Sequence, residues 1–136
     1  MTLSGLGVLQ VEPTDHCNLN CLMCAPHRDG WESVHNVPKG YLDLALWERI
    51  VEEFRIKKLS FDHIIFQWLG DPLLHPQLHL LVELAAKRLE DQVNYLRIDT
   101  NAIRLDHQRA AHLVNSACND GAPTLIVLSI DAASQD

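Results

Sequence analysis

Three of the four cysteines lie close together, in the segment CNLNCLMC at residues 17–24. The C-x3-C-x2-C spacing lets the thiolates of Cys17, Cys21 and Cys24 converge on one inorganic centre, and leaves a four-iron cluster one protein ligand short. An iron with an open position can bind a substrate or a cofactor directly, as open metal positions do in catalytic sites. A tetrahedral zinc site completed by His27 is the alternative interpretation of the same spacing.

The composition is that of one globular domain. The chain has 136 residues, 47% of them hydrophobic and 21% charged, and its net charge is −7. These values argue against a disordered chain or a disulfide scaffold, and the acidic balance argues against a nucleic-acid partner. No apolar run approaches the roughly 20 residues that cross a bilayer, and the N-terminus lacks a secretory signal. We therefore expect a cytoplasmic protein with no membrane partner, in which clustered cysteines hold a metal or cluster.

Strand-like and helix-like segments alternate along the chain. Strands are predicted at Leu6–Pro13, His63–Leu69, Tyr95–Asp99 and Leu125–Ile130. Helices are predicted from the Asp43 cap to Lys57, after Pro76, and from the Asp106 cap through His107–Ala117. The second of these has an apolar face made of Leu78, Leu81, Val82, Ala85 and Leu89. This order predicts an α/β fold with a parallel sheet and right-handed crossovers. The cysteines then lie in a long loop, residues 14–40, between the first strand and the first helix.

The fourth predicted strand is apolar, and the chain stops where a fourth helix would begin. A complete (β/α)8 barrel needs about 250 residues. We therefore expect a partial (β/α) barrel of about four parallel strands and three helices, with residues 1–136 forming the N-terminal part of a larger domain. A small open four-stranded sheet that ends there naturally is the alternative.

Four segments resemble motifs of the radical S-adenosylmethionine (radical SAM) superfamily. CNLNCLMC at 17–24 resembles the family's cysteine loop after the first barrel strand, and QWLGDPLLHP at 67–76 resembles its "GEPLLHP" segment after the second. DTNA at 99–102 resembles "TNG" after the third strand, and LSIDA at 128–132 resembles "SIDA" at the fourth. The residues of these segments are most similar to those of the branch that often carries a SPASM or related auxiliary-cluster domain. All four segments fall at the C-terminal ends of predicted strands, where α/β active sites are built.

The resemblance implies an enzyme with two cofactors. Cys17, Cys21 and Cys24 would hold a [4Fe-4S] cluster whose fourth iron is chelated by S-adenosylmethionine (AdoMet). The reduced cluster would cleave AdoMet to a 5′-deoxyadenosyl radical, which abstracts hydrogen from a substrate. The implied partners are an electron donor such as flavodoxin or ferredoxin and a peptide or small-molecule substrate. An electron-transfer module with zinc or an iron–sulfur centre, or an inactive fragment without radical chemistry, is the alternative.

The same resemblance implies six further contacts to AdoMet. They are Met23 near the adenine, Gly70 and Asp71 near the methionine end, and Asn101, Ser129 and Asp131 near the ribose and carboxylate. The chain departs from the family pattern at three positions. Leu69 replaces a glycine, Asp71 replaces the usual glutamate, and Ala102 replaces the glycine of "TNG". If that last turn needs a positive φ, alanine resists it.

Four side chains also have structural interpretations. Asp71 can cap the turn that follows it, and His75 is predicted to make local hydrogen bonds. We expect Trp68 to pack in the barrel wall. Cys118, near the end of the third helix, is predicted to be a buried free cysteine.

Overall fold

A four-stranded parallel sheet is the centre of the fold. The computed structural model describes residues 5–24, 39–118 and 121–129, and its strands follow the order β1-β2-β3-β4. The strands are β1 (Val8–Val11), β2 (Phe61–Phe66), β3 (Val93–Thr100) and β4 (Thr124–Leu128). The helices are α1 (Leu44–Lys57), α2 (Leu78–Arg88) and α3 (His107–Cys118), and a short 3-10 turn covers Pro72–Leu74. Among the described residues, no helix is long and apolar enough to cross a membrane.

The helices cover one face of the sheet. On that face Ile64 and Phe66 of β2 and Leu96 and Ile98 of β3 are completely buried. Neighbouring strands place these residues side by side, because Ile64 pairs with Leu96 and Phe66 pairs with Ile98. Side chains alternate between the two faces of a strand. Leu125 therefore lies on the opposite face, where half of its surface is exposed.

Helix α1 begins and ends at residues suited to those positions. The Asp43 carboxylate accepts a hydrogen bond of 2.8 Å from the N–H of Leu46, which caps the first turn. The basic residues Arg55 and Lys57 lie in the last turn, where positive charge favours the helix dipole. Lys58 ends the helix with a left-handed φ of 52°. The predicted helix from the Asp43 cap to Lys57 is therefore confirmed.

Trp47 ties α1 to both the sheet and α2. Its ring meets Phe66 of β2 edge to face, with centroids 5.8 Å apart. Its indole Nε1–H donates a hydrogen bond of 3.0 Å to the carbonyl of Leu81 in α2, so its polar atom is satisfied although the side chain is buried. The apolar face of α2 that the sequence predicts is also buried, including Leu81, Val82 and Ala85.

The predicted order of elements is confirmed, but several strand limits were wrong. β2 begins earlier than predicted, because Phe61 already pairs with Val93. It ends at Phe66, although the apolar run continues to Leu69. The N–H of Leu69 donates to the Glu12 carboxylate at 2.8 Å and no longer bonds to a neighbouring strand.

The other strands show smaller differences. β1 is shorter than the predicted Leu6–Pro13, because the chain turns after Val11 toward a bridge between Thr14 and Tyr41. β3 is longer than Tyr95–Asp99 by residues at each end, and β4 begins at Thr124. Ile130, the predicted end of β4, lies outside the described residues.

The connection from β2 to α2 contains a 3-10 turn that the sequence analysis did not predict. Asp71 caps it, as predicted, because its carboxylate accepts a hydrogen bond of 2.9 Å from the N–H of Leu73. His75 follows the turn and makes one local hydrogen bond, as predicted, and a second one to a residue distant in sequence. Its Nδ1 accepts from the N–H of Gln77 at 3.0 Å, and its Nε2–H donates to the carbonyl of Leu42 at 2.9 Å. Burial lowers the pKa of His75 below its ordinary value of 6.5.

The buried His75 predicts a loss of stability in acid. The unfolded chain binds a proton near pH 6.5 that the folded ring resists, so the free energy of unfolding should fall as the pH drops below 6.5. In His75→Gln the side-chain amide can still donate to the Leu42 carbonyl, and it does not titrate. Urea unfolding at about pH 7.5 and about pH 5.5 should therefore show a smaller difference for His75→Gln than for the wild type.

His107→Gln is the control, because His107 is exposed at the start of α3. It makes the same change of residue where the side chain is exposed, so it measures the effect of the substitution itself. Some dependence should also remain in His75→Gln, since burial and the neighbouring His112 lower the pKa of His79 as well. Equal pH dependence in His75→Gln and the wild type would contradict the prediction.

Candidate functional site

A cleft of about 660 Å³ opens at the C-terminal ends of the strands. Its volume lies in the range of small-molecule sites. It is lined by all three clustered cysteines and by residues that follow β2, β3 and β4. Eight of the predicted site residues meet there: Cys17, Cys21, Met23, Cys24, Gly70, Asp71, Asn101 and Ser129. Asp131, the ninth, lies outside the described residues.

The three cysteines are free and partly buried. A hydrogen bond of 3.0 Å from the N–H of Cys24 to the carbonyl of Cys21 turns the loop, so that both residues line the cleft. Burial, with the nearby Cys17 and Cys21 adding to it, raises the pKa of the Cys24 thiol above 9.0. Thiolates that repel one another in this way are stabilised together by a bound cation.

The donor set of this loop fits an iron–sulfur cluster. Thiolates are the usual ligands of iron–sulfur clusters and also bind zinc. Within residues 5–24, 39–118 and 121–129, no three His, Cys, Asp or Glu side chains are placed to ligate a single metal ion. In a four-iron cluster each cysteine binds a different iron atom. The three thiolates must therefore be neighbours, but they need not converge on a single metal position. His27, the fourth ligand of the alternative zinc site, lies outside the described residues.

Gly70 allows the end of β2 to touch the base of the cysteine loop. A β-carbon at Gly70 would lie 2.1 Å from the carbonyl oxygen of Thr14 and 2.6 Å from that of His16. The next residue strengthens this contact, because the N–H of Asp71 donates to the His16 carbonyl at 2.8 Å. Gly70 therefore packs against the backbone of His16, the residue before Cys17. The sequence analysis did not identify this packing role.

The Asp71 carboxylate joins the ends of β2 and β3. The residue is only 3% exposed. Besides the Leu73 N–H, its oxygens accept hydrogen bonds from Thr100 Oγ1 at 2.8 and 2.9 Å, and from the N–H of Asn101 at 2.8 Å. The carboxylate lies at the wall of the cleft, and the chain itself supplies its hydrogen-bond donors.

Asn101 continues this connection to the cysteine loop. Its Nδ2 donates to Asn18 Oδ1 at 2.9 Å, and its Oδ1 accepts from the N–H of Ile103 at 3.0 Å. Asn18 lies between the first two cysteines, and nothing in the sequence marked it as a partner of Asn101. Ala102 has a left-handed φ of 64°, so the turn does adopt the conformation that favours glycine there. An L-residue pays roughly 1–2 kcal/mol for that conformation.

Several side chains remain available to a ligand in the cleft. Met23 is 77% exposed. Trp68 is 55% exposed, so the expectation that it packs in the barrel wall was wrong. It follows the last residues of β2, where the chain has already left the sheet. Ser129 lies at the exposed end of β4, where its N–H donates to the Thr100 carbonyl at 2.8 Å. The side chain of Cys118 is not among those the structure describes.

Gly70→Ala should be strongly destabilising. The new methyl group would meet two backbone carbonyls, which cannot move aside as a flexible side chain can. We expect a loss of about 1–3 kcal/mol or more in the free energy of unfolding, measured by urea denaturation. Gly40→Ala is the matched control, because nothing lies within 4 Å of a β-carbon at Gly40. Equal stabilities of the two variants would show that the close approach at Gly70 is not needed.

Comparisons with known proteins agree with this fold. The family model of the radical SAM superfamily matches residues 11–136. No curated protein sequence matches the chain. The structure is similar to the crystal structure of BtrN in complex with AdoMet and 2-DOIA, with a TM-score of 0.63 and 25% sequence identity, covering 93% of this chain and 46% of that one. For selenomethionine BtrN in an open conformation, the TM-score is 0.57 at 20% identity, covering 88% of this chain and 55% of that one.

This chain spans about half the length of the BtrN chains. The comparison supports the predicted α/β fold, with four parallel strands and three helices arranged as in part of a radical SAM structure. The family match and the cysteine loop after β1 lead to one conclusion. The chain belongs to the radical SAM superfamily.

Proposed function

We propose that Cys17, Cys21 and Cys24 hold a [4Fe-4S] cluster, and that AdoMet binds beside it in the cleft. The observation that carries this proposal is the shared cleft itself: three free cysteines face the residues that end β2, β3 and β4. The chemistry that the bound pair supplies is one-electron cleavage of AdoMet to a 5′-deoxyadenosyl radical, which abstracts hydrogen from a substrate. The AdoMet in the BtrN complex supports AdoMet as the cofactor here.

The cleft residues divide the binding of AdoMet between them. Met23 offers an exposed, polarizable thioether to the adenine. Gly70 and Asp71 would contact the methionine end. Because the Asp71 carboxylate already accepts three internal donors, we propose that it acts by holding the neighbouring main chain in place. Asn101 and Ser129 offer polar groups for the ribose and carboxylate.

Asp131 is proposed for the same polar contacts as Ser129, on the motif resemblance alone. The remaining proposals concern the whole protein. An electron donor such as flavodoxin or ferredoxin would reduce the cluster in the cytoplasm. The substrate, a peptide or small molecule, would approach from the uncovered sheet face. That face carries polar groups next to the cleft, including the ion pair in which Arg97 Nε lies 2.6 Å from Asp99 Oδ1.

The cluster proposal predicts iron uptake that depends on the three cysteines. Anaerobic reconstitution of the chain with iron and sulfide should give a broad absorbance near roughly 400 nm, from charge transfer between cysteine sulfur and iron. Cys17→Ala, Cys21→Ala or Cys24→Ala should each abolish it. Cys118→Ala, which removes the one cysteine outside the loop, should retain it. Stoichiometric zinc with no iron uptake would refute the cluster.

The AdoMet proposal predicts a spectroscopic and a chemical result. Three cysteines leave one iron without a protein ligand, so AdoMet should change the EPR spectrum of the reduced cluster. With dithionite, the chain should slowly release 5′-deoxyadenosine even without a substrate. The Cys24→Ala variant is the control for both measurements and should give neither signal. An intact cluster whose EPR spectrum ignores AdoMet would favour the electron-transfer alternative.

A further inference from the structure

Two short segments meet directly before the cysteine loop. Thr14 and Tyr41 form an isolated antiparallel bridge, and the N–H of Leu42 donates to the carbonyl of Pro13 at 2.8 Å. We call residues 13–16 and 40–42 the clasp. It closes the chain on itself at the point from which the cysteine loop leaves β1.

Side chains reinforce the clasp from both segments. Thr14 Oγ1 donates to the carbonyl of Gly40 at 2.7 Å. The N–H of Gly40 donates to Asp15 Oδ1 at 2.8 Å. The hydroxyl of Thr14 also accepts a hydrogen bond of 3.1 Å from the N–H of His16, so the residue before Cys17 belongs to the same network.

An aromatic stack completes the clasp. The rings of His16 and Tyr41 lie parallel, with centroids 4.6 Å apart and an interplanar angle of 7°. Tyr41 also meets the edge of His75 at 5.6 Å, and His75 donates to the Leu42 carbonyl. Tyr41 is 52% exposed, so its ring contributes to this stack and little to the core.

We propose that Tyr41 is a positioning residue for the iron–sulfur cluster, acting through its stack on His16. The stack restrains His16, and the next residue, Cys17, is the first proposed ligand of the cluster. A loop whose first ligand is already ordered loses less conformational entropy when it binds a cluster. This inference rests on the proposed function, because it assumes that the cysteines hold a cluster.

The chain contains a matched control for this stack. His63 on β2 and Tyr95 on β3 stack with the same centroid distance of 4.6 Å and the same angle of 7°. These two residues are register partners within the sheet, away from the cysteine loop. Tyr95→Leu therefore removes a geometrically equal His–Tyr stack without touching the clasp.

The test compares Tyr41→Leu, Tyr41→Phe and Tyr95→Leu with the wild-type chain after reconstitution with iron and sulfide. Supporting partners around metal ligands contribute about 10–100-fold to metal affinity. We expect Tyr41→Leu to lose iron to a chelator about 10-fold faster than the wild type, and to broaden the EPR signal of the reduced cluster. Tyr41→Phe keeps the ring and should behave as the wild type, and so should Tyr95→Leu.

Equal iron loss and equal EPR spectra for Tyr41→Leu and Tyr95→Leu would overturn the inference. Circular dichroism confirms that each variant is folded. If Tyr41→Leu does not fold, His16→Gln replaces it in the comparison. This variant removes the stacked ring from the other side and keeps a polar side chain for the contacts that His16 Nδ1 makes with Thr14 Oγ1 at 2.9 Å and the Gly40 carbonyl at 3.3 Å.

A wild-type chain that binds no iron would refute the proposed function instead, and hydrogen exchange of the metal-free chain would then decide the inference. Faster amide exchange across residues 14–24 in Tyr41→Leu, but not in Tyr95→Leu, supports the clasp. Equal exchange in the two variants overturns it.

Discussion

The buried Asp71 carboxylate is the contact that holds the functional edge of the sheet together. Placing an ionised carboxylate out of water is costly unless hydrogen-bond donors replace the water. Here the donors are the N–H groups of Leu73 and Asn101 and the hydroxyl of Thr100. The Leu73 N–H belongs to the turn that Asp71 itself caps, whereas Thr100 ends β3 and Asn101 follows it. Thr100 and Asn101 reach Asp71 only when β2 and β3 pair in the observed register, so the carboxylate favours that register over others.

The cysteine loop is held by the loops that follow β2 and β3. Gly70 and the N–H of Asp71 contact its base at Thr14 and His16. Asn101 reaches the loop from the other side, through Asn18. The described part of this loop at residues 17–24 contains no helix or strand, and it takes its shape from the ends of two strands. The motifs after β2 and β3 therefore support the cysteine loop through residues that face the protein and not the cleft alone.

Local sequence patterns predicted the elements, and they could not predict the contacts between loops. Helix α1 was correct because its cap at Asp43 and its apolar spacing both act within a few residues. The predicted end of β2 was wrong because the aromatic segment FQWL resembles a continuing strand, whereas the N–H of Leu69 donates to a distant carboxylate, that of Glu12. Trp68 is exposed because it lies in the same segment, after the chain has left the sheet at Phe66.

The set of residues that line the cleft was predicted in outline, but their contacts with one another were not. The resemblance to radical SAM motifs supplied the candidate residues, and residues that follow parallel strands meet at one edge of the sheet, so the described ones line one cleft. The pairing of Asn18 with Asn101, the close approach at Gly70 and the His16–Tyr41 stack join residues far apart in sequence. No periodicity or spacing marks such pairs, and only the three-dimensional structure reveals them.

The clasp affects how changes in length of the connection from β1 to β2 alter the stability of the sheet. The chain between the paired residues Val8 and His63 is roughly twice as long as that between Leu96 and Thr124. Because the entropy of loop closure grows with the logarithm of length, doubling a loop costs only about 0.6 kcal/mol. The clasp separates the cysteine loop from the rest of this crossover at residues 13–16 and 40–42. We therefore expect insertions or deletions between Cys24 and Gly40 to change the stability of the β1–β2 pairing little.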